Sequence, residues 1–280
     1  MISPSLLEVE RQRYAERLTH GISGDTQRLH DAFADTARED FVGLPPWPLL
    51  GHDLGRTWSD DARDLYQDVL VGLDAERGIN NGQPSLHARC LAACEPRLGD
   101  AVLHIGAGTG YYSAILAQLV GERGQVIAYE IEPDLAARAA ANLKPWPQVS
   151  VRAISGAVPP LPASDVLYVN AGATHPLAAW LDALRDGARL IFPLTPDDGS
   201  GCMLLVTHLE ASRYAARAMM RVSFIGCMGG RDPAASVALR RAFAMGSVDA
   251  VRSLHRDDHP DDSVWCAGPG WWLSTEPPSG

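Results

Sequence analysis

Three glycines and one glutamate carry the strongest chemical signal in the chain. Gly106, Gly108 and Gly110 stand in the run His104-Ile105-Gly106-Ala107-Gly108-Thr109-Gly110, directly after an apolar segment and before Tyr111. Glycine at the first site permits a tight turn, and at the second it lets the backbone approach a ligand with no Cβ in the way. The amides of such a turn, and the dipole of a helix that follows it, face the bound molecule. Glu130 ends the next apolar run, where a carboxylate can accept hydrogen bonds from both hydroxyls of a ribose. A dinucleotide turn needs its third glycine one place later, where this chain has Tyr111, for close packing beside a pyrophosphate. The spacing therefore predicts a nucleoside cofactor without a pyrophosphate, such as S-adenosylmethionine.

Methyl transfer from a sulfonium is an in-line displacement in which much of the acceleration comes from positioning. A carboxylate acceptor is already anionic at neutral pH and needs no base, whereas a phenol, amine or carbon acid needs one. His87, His104 and His175 are the candidate bases, the last two beside carboxyl ends of predicted strands, where doubly wound sheets bind ligands. Each also reads as an ordinary hydrogen-bonded or capping residue. Asn170 lacks the two prolines and the aromatic that would follow it in an amino-directed methyltransferase.

These residues need a frame, and the pattern around them supplies one. Pro84 suits the first position of a helix that carries Leu86, Cys90, Leu91 and Cys94 on one face. Strands are expected at residues 101–105, 125–130, 149–154 and 165–170, with helices at 111–120, 133–143 and 176–185. Alternation of this kind predicts a doubly wound, mostly parallel α/β sheet. Residues 188–194 and 202–209 are two further apolar runs with no room between them for a crossover helix, so they must pair antiparallel. The expected architecture is a seven-stranded Rossmann-like sheet closed by an antiparallel hairpin. Two helices precede it, one carrying Leu6, Leu7, Val9, Tyr14 and Leu18 and one at 26–37, while residues 43–55, rich in proline and glycine, read as a loop. The expected domains are an N-terminal region at 1–80, a cofactor-binding core at 81–230 and a C-terminal extension at 231–280.

Composition narrows the partners. The 280 residues include 24 Lys and Arg against 34 Asp and Glu, a net charge of −10 that argues against nucleic acid and anionic membranes as partners. No apolar run approaches the roughly 20 residues that span a bilayer, and the charged N-terminus has no signal region, so a cytoplasmic protein is expected. Five cysteines without a CxxC pair and nine scattered histidines offer no metal constellation, and Asp257-Asp258-His259-Pro260-Asp261-Asp262 reads as a solvated acidic loop. Trp265, Trp271 and Trp272 either cap a pocket, form a subunit contact or dock the tail.

From Ala37-Arg38-Glu39-Asp40-Phe41-Val42 to Val222-Ser223-Phe224-Ile225 the chain resembles the protein-L-isoaspartate O-methyltransferase family. The resemblance is carried by Gly82-Gln83-Pro84, the glycine turn, Ala128-Tyr129-Glu130-Ile131-Glu132 and the stretch Leu184-Arg185-Asp186-Gly187-Ala188-Arg189-Leu190-Ile191-Phe192-Pro193-Leu194. It implies a class I S-adenosylmethionine-dependent methyltransferase. It also implies cofactor contacts at Gln83, Pro84, Gly106, Gly108, Gly110, Tyr111, Glu130, Ile131 and Asn170, and acceptor contacts at Asn80, Asn81 and Gly82. The chain departs from the family at three places. Gly82 stands where the family has a serine beside the transferred methyl, His104 where an acidic residue ends the first strand, and Ser155 where an aspartate lies near the adenine. The expected acceptor is a carboxylate of a peptide, protein or small molecule. A natural-product methyltransferase and a non-catalytic cofactor-binding protein are the alternatives, and a nicotinamide-dependent oxidoreductase is the remotest. The oligomeric state is not legible.

Overall fold

The computed structural model describes residues 4–51, 55–210 and 213–278. In chain order its elements begin with α1 (Pro4–Thr19) and α2 (Gln27–Asp35), then β1 (Trp47–Gly51), β2 (Gly55–Ser59), β3 (Leu70–Asp74) and β4 (Ile79–Asn80). Next come α3 (Pro84–Cys94), β5 (Ala101–Ile105), α4 (Tyr111–Val120), β6 (Gln125–Tyr129), α5 (Pro133–Asn142), β7 (Val149–Arg152) and β8 (Ser164–Val169). The chain ends with α6 (Ala178–Asp182), β9 (Leu184–Leu194), β10 (Ser200–His208), β11 (Tyr214–Ser223), α7 (Pro233–Met245), β12 (Ser253–His255), β13 (Val264–Gly268) and β14 (Trp271–Ser274). The fold is mixed α/β, as the alternating pattern predicts. Its contacts divide it into two compact units, residues 1–100 with 107–154 and residues 101–106 with 155–280.

The first unit contains the glycine-turn helix α4 and the parallel pair β6–β7. Its N-terminal part is more ordered than expected. The stretch read as a loop at 43–55 holds β1, which pairs antiparallel with β2 and β3, and β4 completes the sheet order β2-β1-β3-β4 (residues 52–54 lie outside the described residues). The turn residues here do not leave a loop, because the apolar side chains beside them build a local core. Val42, Trp47, Leu49, Leu65, Val69 and Val71 are buried together, and such burial overrides local turn preference. On the helical side α1 buries Tyr14, Ala15 and Leu18, while its Leu6 and Val9 stay exposed.

In the second unit the strands run in the order β13-β14-β12-β11-β10-β9-β8-β5. β8 pairs parallel with β5 and with β9, and β9–β10 is the antiparallel hairpin required by the short connection. The expected count of seven strands is exceeded because the C-terminal segment continues the sheet. β12 pairs with β11, and β14 with both β12 and β13. Trp271 and Trp272 are buried residues of β14, so these two tryptophans dock the tail. The helix expected at 176–185 is short because β9 begins at Leu184.

Candidate active site

In the first unit the site grows from the end of β6. Val126, Ile127, Ala128 and Tyr129 are all buried, and Pro133 at the first turn of α5 ends the strand's continuation. Glu130 falls between them, 6% exposed. Its Oε2 accepts the Gly108 amide at 2.6 Å and its Oε1 accepts the Glu132 amide at 3.0 Å. Burial pushes the Glu130 carboxyl above the usual carboxylate range, and the amides of Glu132, Gly108 and Ile131 oppose that push. A carboxylate is thus held at the glycine turn by backbone donors.

The two glycines of the turn that lie in this unit do different things. At Gly108 (φ +57°) an added Cβ meets only Leu73 Cδ1, at an ordinary 3.5 Å, so the protein leaves that side of the backbone open. At Gly110 (φ +97°) it would stand 2.7 Å from Leu143 Cδ1, so this glycine answers a packing demand from the end of α5. The backbone carbonyl of Thr109 accepts the Asn142 amide at 3.0 Å, while the buried Thr109 Oγ1 has no hydrogen-bond partner among the described residues.

Tyr111 was expected at the cofactor, but its side chain is core. It is 2% exposed and lies against Phe33, Phe41 and Tyr112, with its hydroxyl 3.5 Å from that of Tyr14. The bulk that excludes a dinucleotide turn serves to anchor α1 and α2. Ile131 is 37% exposed, as a surface for a flat ligand would be.

The expected acceptor residues form a compact turn before α3. Asn80 Oδ1 accepts the Gly82 amide at 3.0 Å, and Asn81 Oδ1 accepts from Val71 N at 2.9 Å and Arg38 Nη2 at 3.1 Å. The amide of Gln83 donates to Asp68 at 2.7 Å, and Pro84 is the buried first residue of α3. Gly82 (φ +76°) must be glycine for space as well, because a Cβ there would lie 2.2 Å from His87 Nε2. His87 is buried and stacks on Tyr112 with ring centroids 3.7 Å apart. The imidazole fills the room that a side chain at position 82 would take.

Arg38 is a further polar residue of this site that its sequence neighbours do not mark. It is fully buried, and its guanidinium donates to the carbonyls of Leu65 at 2.5 Å and Val69 at 2.7 Å as well as to Asn81. In the sequence it sits among charges, Arg38-Glu39-Asp40, and reads as surface. Only Phe41 and Val42 directly after it hint at burial.

In the second unit Gly106 (φ +75°) has its Cβ position 3.3 Å from the Asn170 backbone. Asn170 follows β8, and its side chain lies 2.8 Å from His104 Nε2. Asn170 Oδ1 is buried without a hydrogen-bond partner among the described residues. His104 is completely buried, which pulls its pKa down to about 3, so as a base it is too weak to take a proton at neutral pH. His175 bonds Thr174 Oγ1 at 3.0 Å, stacks on Trp271 at 6.2 Å and has its pKa lowered by burial against the pull of Asp232. Among the described residues no His, Cys, Asp and Glu gather as a metal site, and no helix is long and apolar enough to cross a membrane.

Residues 11–232 match the family model of protein-L-isoaspartate(D-aspartate) O-methyltransferase. A protein-L-isoaspartate O-methyltransferase of Archaeoglobus fulgidus is 31% identical over 224 residues, covering 79% of this chain and 93% of the relative. One from Ignicoccus hospitalis is 30% identical over 164 residues, 57% of this chain and 76% of that protein. In three dimensions a solved protein-L-isoaspartate O-methyltransferase superimposes with a TM-score of 0.67 at 24% identity, over 84% of this chain and 69% of the other. A Plasmodium falciparum protein described as the same kind of enzyme, crystallised with S-adenosyl-L-homocysteine, gives 0.61 at 17% identity, over 78% and 98% of the two chains.

Proposed function

The chain belongs to the protein-L-isoaspartate(D-aspartate) O-methyltransferase family of S-adenosylmethionine-dependent methyltransferases, and from that membership we propose that it methylates a carboxylate oxygen of an isoaspartyl-type peptide or protein. The observation that carries the reading is Glu130, a buried carboxylate clamped to the glycine turn by the amides of Gly108 and Glu132. A carboxylate so placed suits ribose hydroxyls, which donate to it. The open side of Gly108 and the unsatisfied Thr109 Oγ1 also fit a polar cofactor, because buried polar atoms are seldom left without partners.

When bound, S-adenosylmethionine supplies an electrophilic methyl group. The chain's own part is to bind and to orient. In this reading Glu130 takes the ribose and Ile131 offers a flat apolar surface. The turn Asn80-Asn81-Gly82 lies against the acceptor. Arg38 keeps Asn81 in one orientation by holding its Oδ1. No proton has to be moved, since the acceptor carboxylate is anionic at neutral pH. This agrees with the weak basicity of the buried His104.

The test is methyl transfer from labelled S-adenosylmethionine to an isoaspartyl peptide beside its normal aspartyl twin. Base-labile label on the isoaspartyl peptide alone is the expected result. Cofactor binding with no label on either peptide would overturn the acceptor and direct the search to small molecules.

A further inference from the structure

Outside the residues used so far, one side chain of the first unit gathers three carboxylates. Arg77, in the turn between β3 and β4, bonds Asp74 Oδ2 at 2.8 Å within its own hairpin, and also Glu132 and Asp134 Oδ2, the latter at 2.8 Å. Glu132 and Asp134 flank Pro133 at the start of α5, directly beyond Glu130. The Glu132 amide is itself one of the donors that hold Glu130. From the same hairpin Leu73 faces the glycine turn: a Cβ added at Gly108 would lie 3.5 Å from its Cδ1. The hairpin therefore approaches the loop on both sides of the ribose carboxylate, with Leu73 facing Gly108 and ion pairs at Glu132 and Asp134.

We propose that the β3–β4 hairpin is a strap across the cofactor loop, with Leu73 as its inner wall and Arg77 as the clasp that sets the position of Glu130. Arg77 is a positioning residue: it acts on Glu132, whose backbone in turn orients the carboxylate. The chemistry suits this task. The planar guanidinium presents several donors in fixed directions and can serve three carboxylates together, which a lysine ammonium cannot do with the same geometry. The side chain remains 37% exposed, so the clasp is accessible to salt, and mobile ions weaken exposed pairs of this kind.

The inference rests on the cofactor reading of Glu130, and the experiment separates the two. S-adenosylhomocysteine is titrated calorimetrically into the full-length protein and into Arg77→Ala and Arg77→Lys, at low and at high salt. Unfolding of the ligand-free proteins is followed in parallel. Arg77→Ala is expected to weaken binding at low salt by roughly three- to tenfold, as two exposed pairs acting together would. Arg77→Lys should fall between, and the gap should close at high salt while the KM for the peptide stays unchanged. Equal affinity of all three proteins at low salt overturns the clasp and leaves the cofactor reading standing. A drop in ligand-free stability with a salt-independent loss of binding also overturns it, since Arg77 would then be a structural tie. Failure of the unaltered protein to bind S-adenosylhomocysteine overturns the cofactor reading itself, and the clasp with it.

Discussion

Two buried polar residues stand at the ends of parallel strands, Glu130 after β6 in the first unit and His104 at the end of β5 in the second, and the fold surrounds them differently. Glu130 is surrounded by backbone donors, so its burial is opposed by the amides of Glu132, Gly108 and Ile131. His104 lies against the side chain of Asn170, and its imidazole stays neutral, with its pKa near 3. Desolvation acts on both. The difference lies in what surrounds each group: backbone amides favour the Glu130 carboxylate and partly offset its loss of water, whereas burial alone sets the shift of His104. A strand end with free amides can hold an anion for a ligand to use. At the other strand end burial keeps the histidine neutral.

The comparison can be broken at several points, beginning with the largest effect. Gly108→Val should abolish binding of S-adenosylhomocysteine in calorimetry, because a β-branched side chain fills the open side of the turn and is strained at φ +57°. Wild-type affinity in that variant would mean the site is misplaced. Glu130→Ala should weaken the same binding by about 1–3 kcal/mol, the usual cost of lost charge-assisted hydrogen bonds. An unchanged dissociation constant would move the ribose elsewhere.

The histidine side predicts a pH effect on stability. His104 is neutral in the fold with its pKa lowered to about 3, whereas in the unfolded chain it titrates near about 6.5. The unfolded state therefore takes up the proton first. The stability is complete above the unfolded value and is lost as pH falls from there toward the folded one, by up to about 1.4 kcal/mol per pH unit. Urea titrations across that window should show a shallower slope for His104→Leu, with the remainder carried in part by His175, whose pKa burial also lowers. Identical slopes would show that His104 is not buried neutral. The smallest effect is expected for Asn170→Ala, which removes one buried partner of the imidazole and should lower stability by about 1 kcal/mol.

Much of the fold is legible in the chain. The runs at Ala101–Ile105, Gln125–Tyr129 and Ser164–Val169 are mostly apolar because both faces of a covered parallel strand are largely buried. The hairpin of β9 and β10 follows from a connection too short for a helix. Glu130 and the glycine turn are equally legible, since their spacing is set by a single strand–turn–helix unit. The four-stranded sheet from β1 to β4 was not, because its core is assembled from residues as distant as Val42 and Val71, among prolines and glycines that locally favour turns. Nor were the strands β12 to β14, which are short and gain their partners only by extending β11.

The sequence by itself therefore determined the alternating α/β pattern, the glycine turn and the carboxylate that follows it, because these are local and periodic properties. Tertiary structure decided what each side chain spends its chemistry on. It put Tyr111 in an aromatic core, made Gly82 obligatory by laying His87 over it, and buried Arg38 under Asn81. Those outcomes depend on which atoms distant segments bring within van der Waals or hydrogen-bonding distance, and spacing along one chain carries no record of that distance.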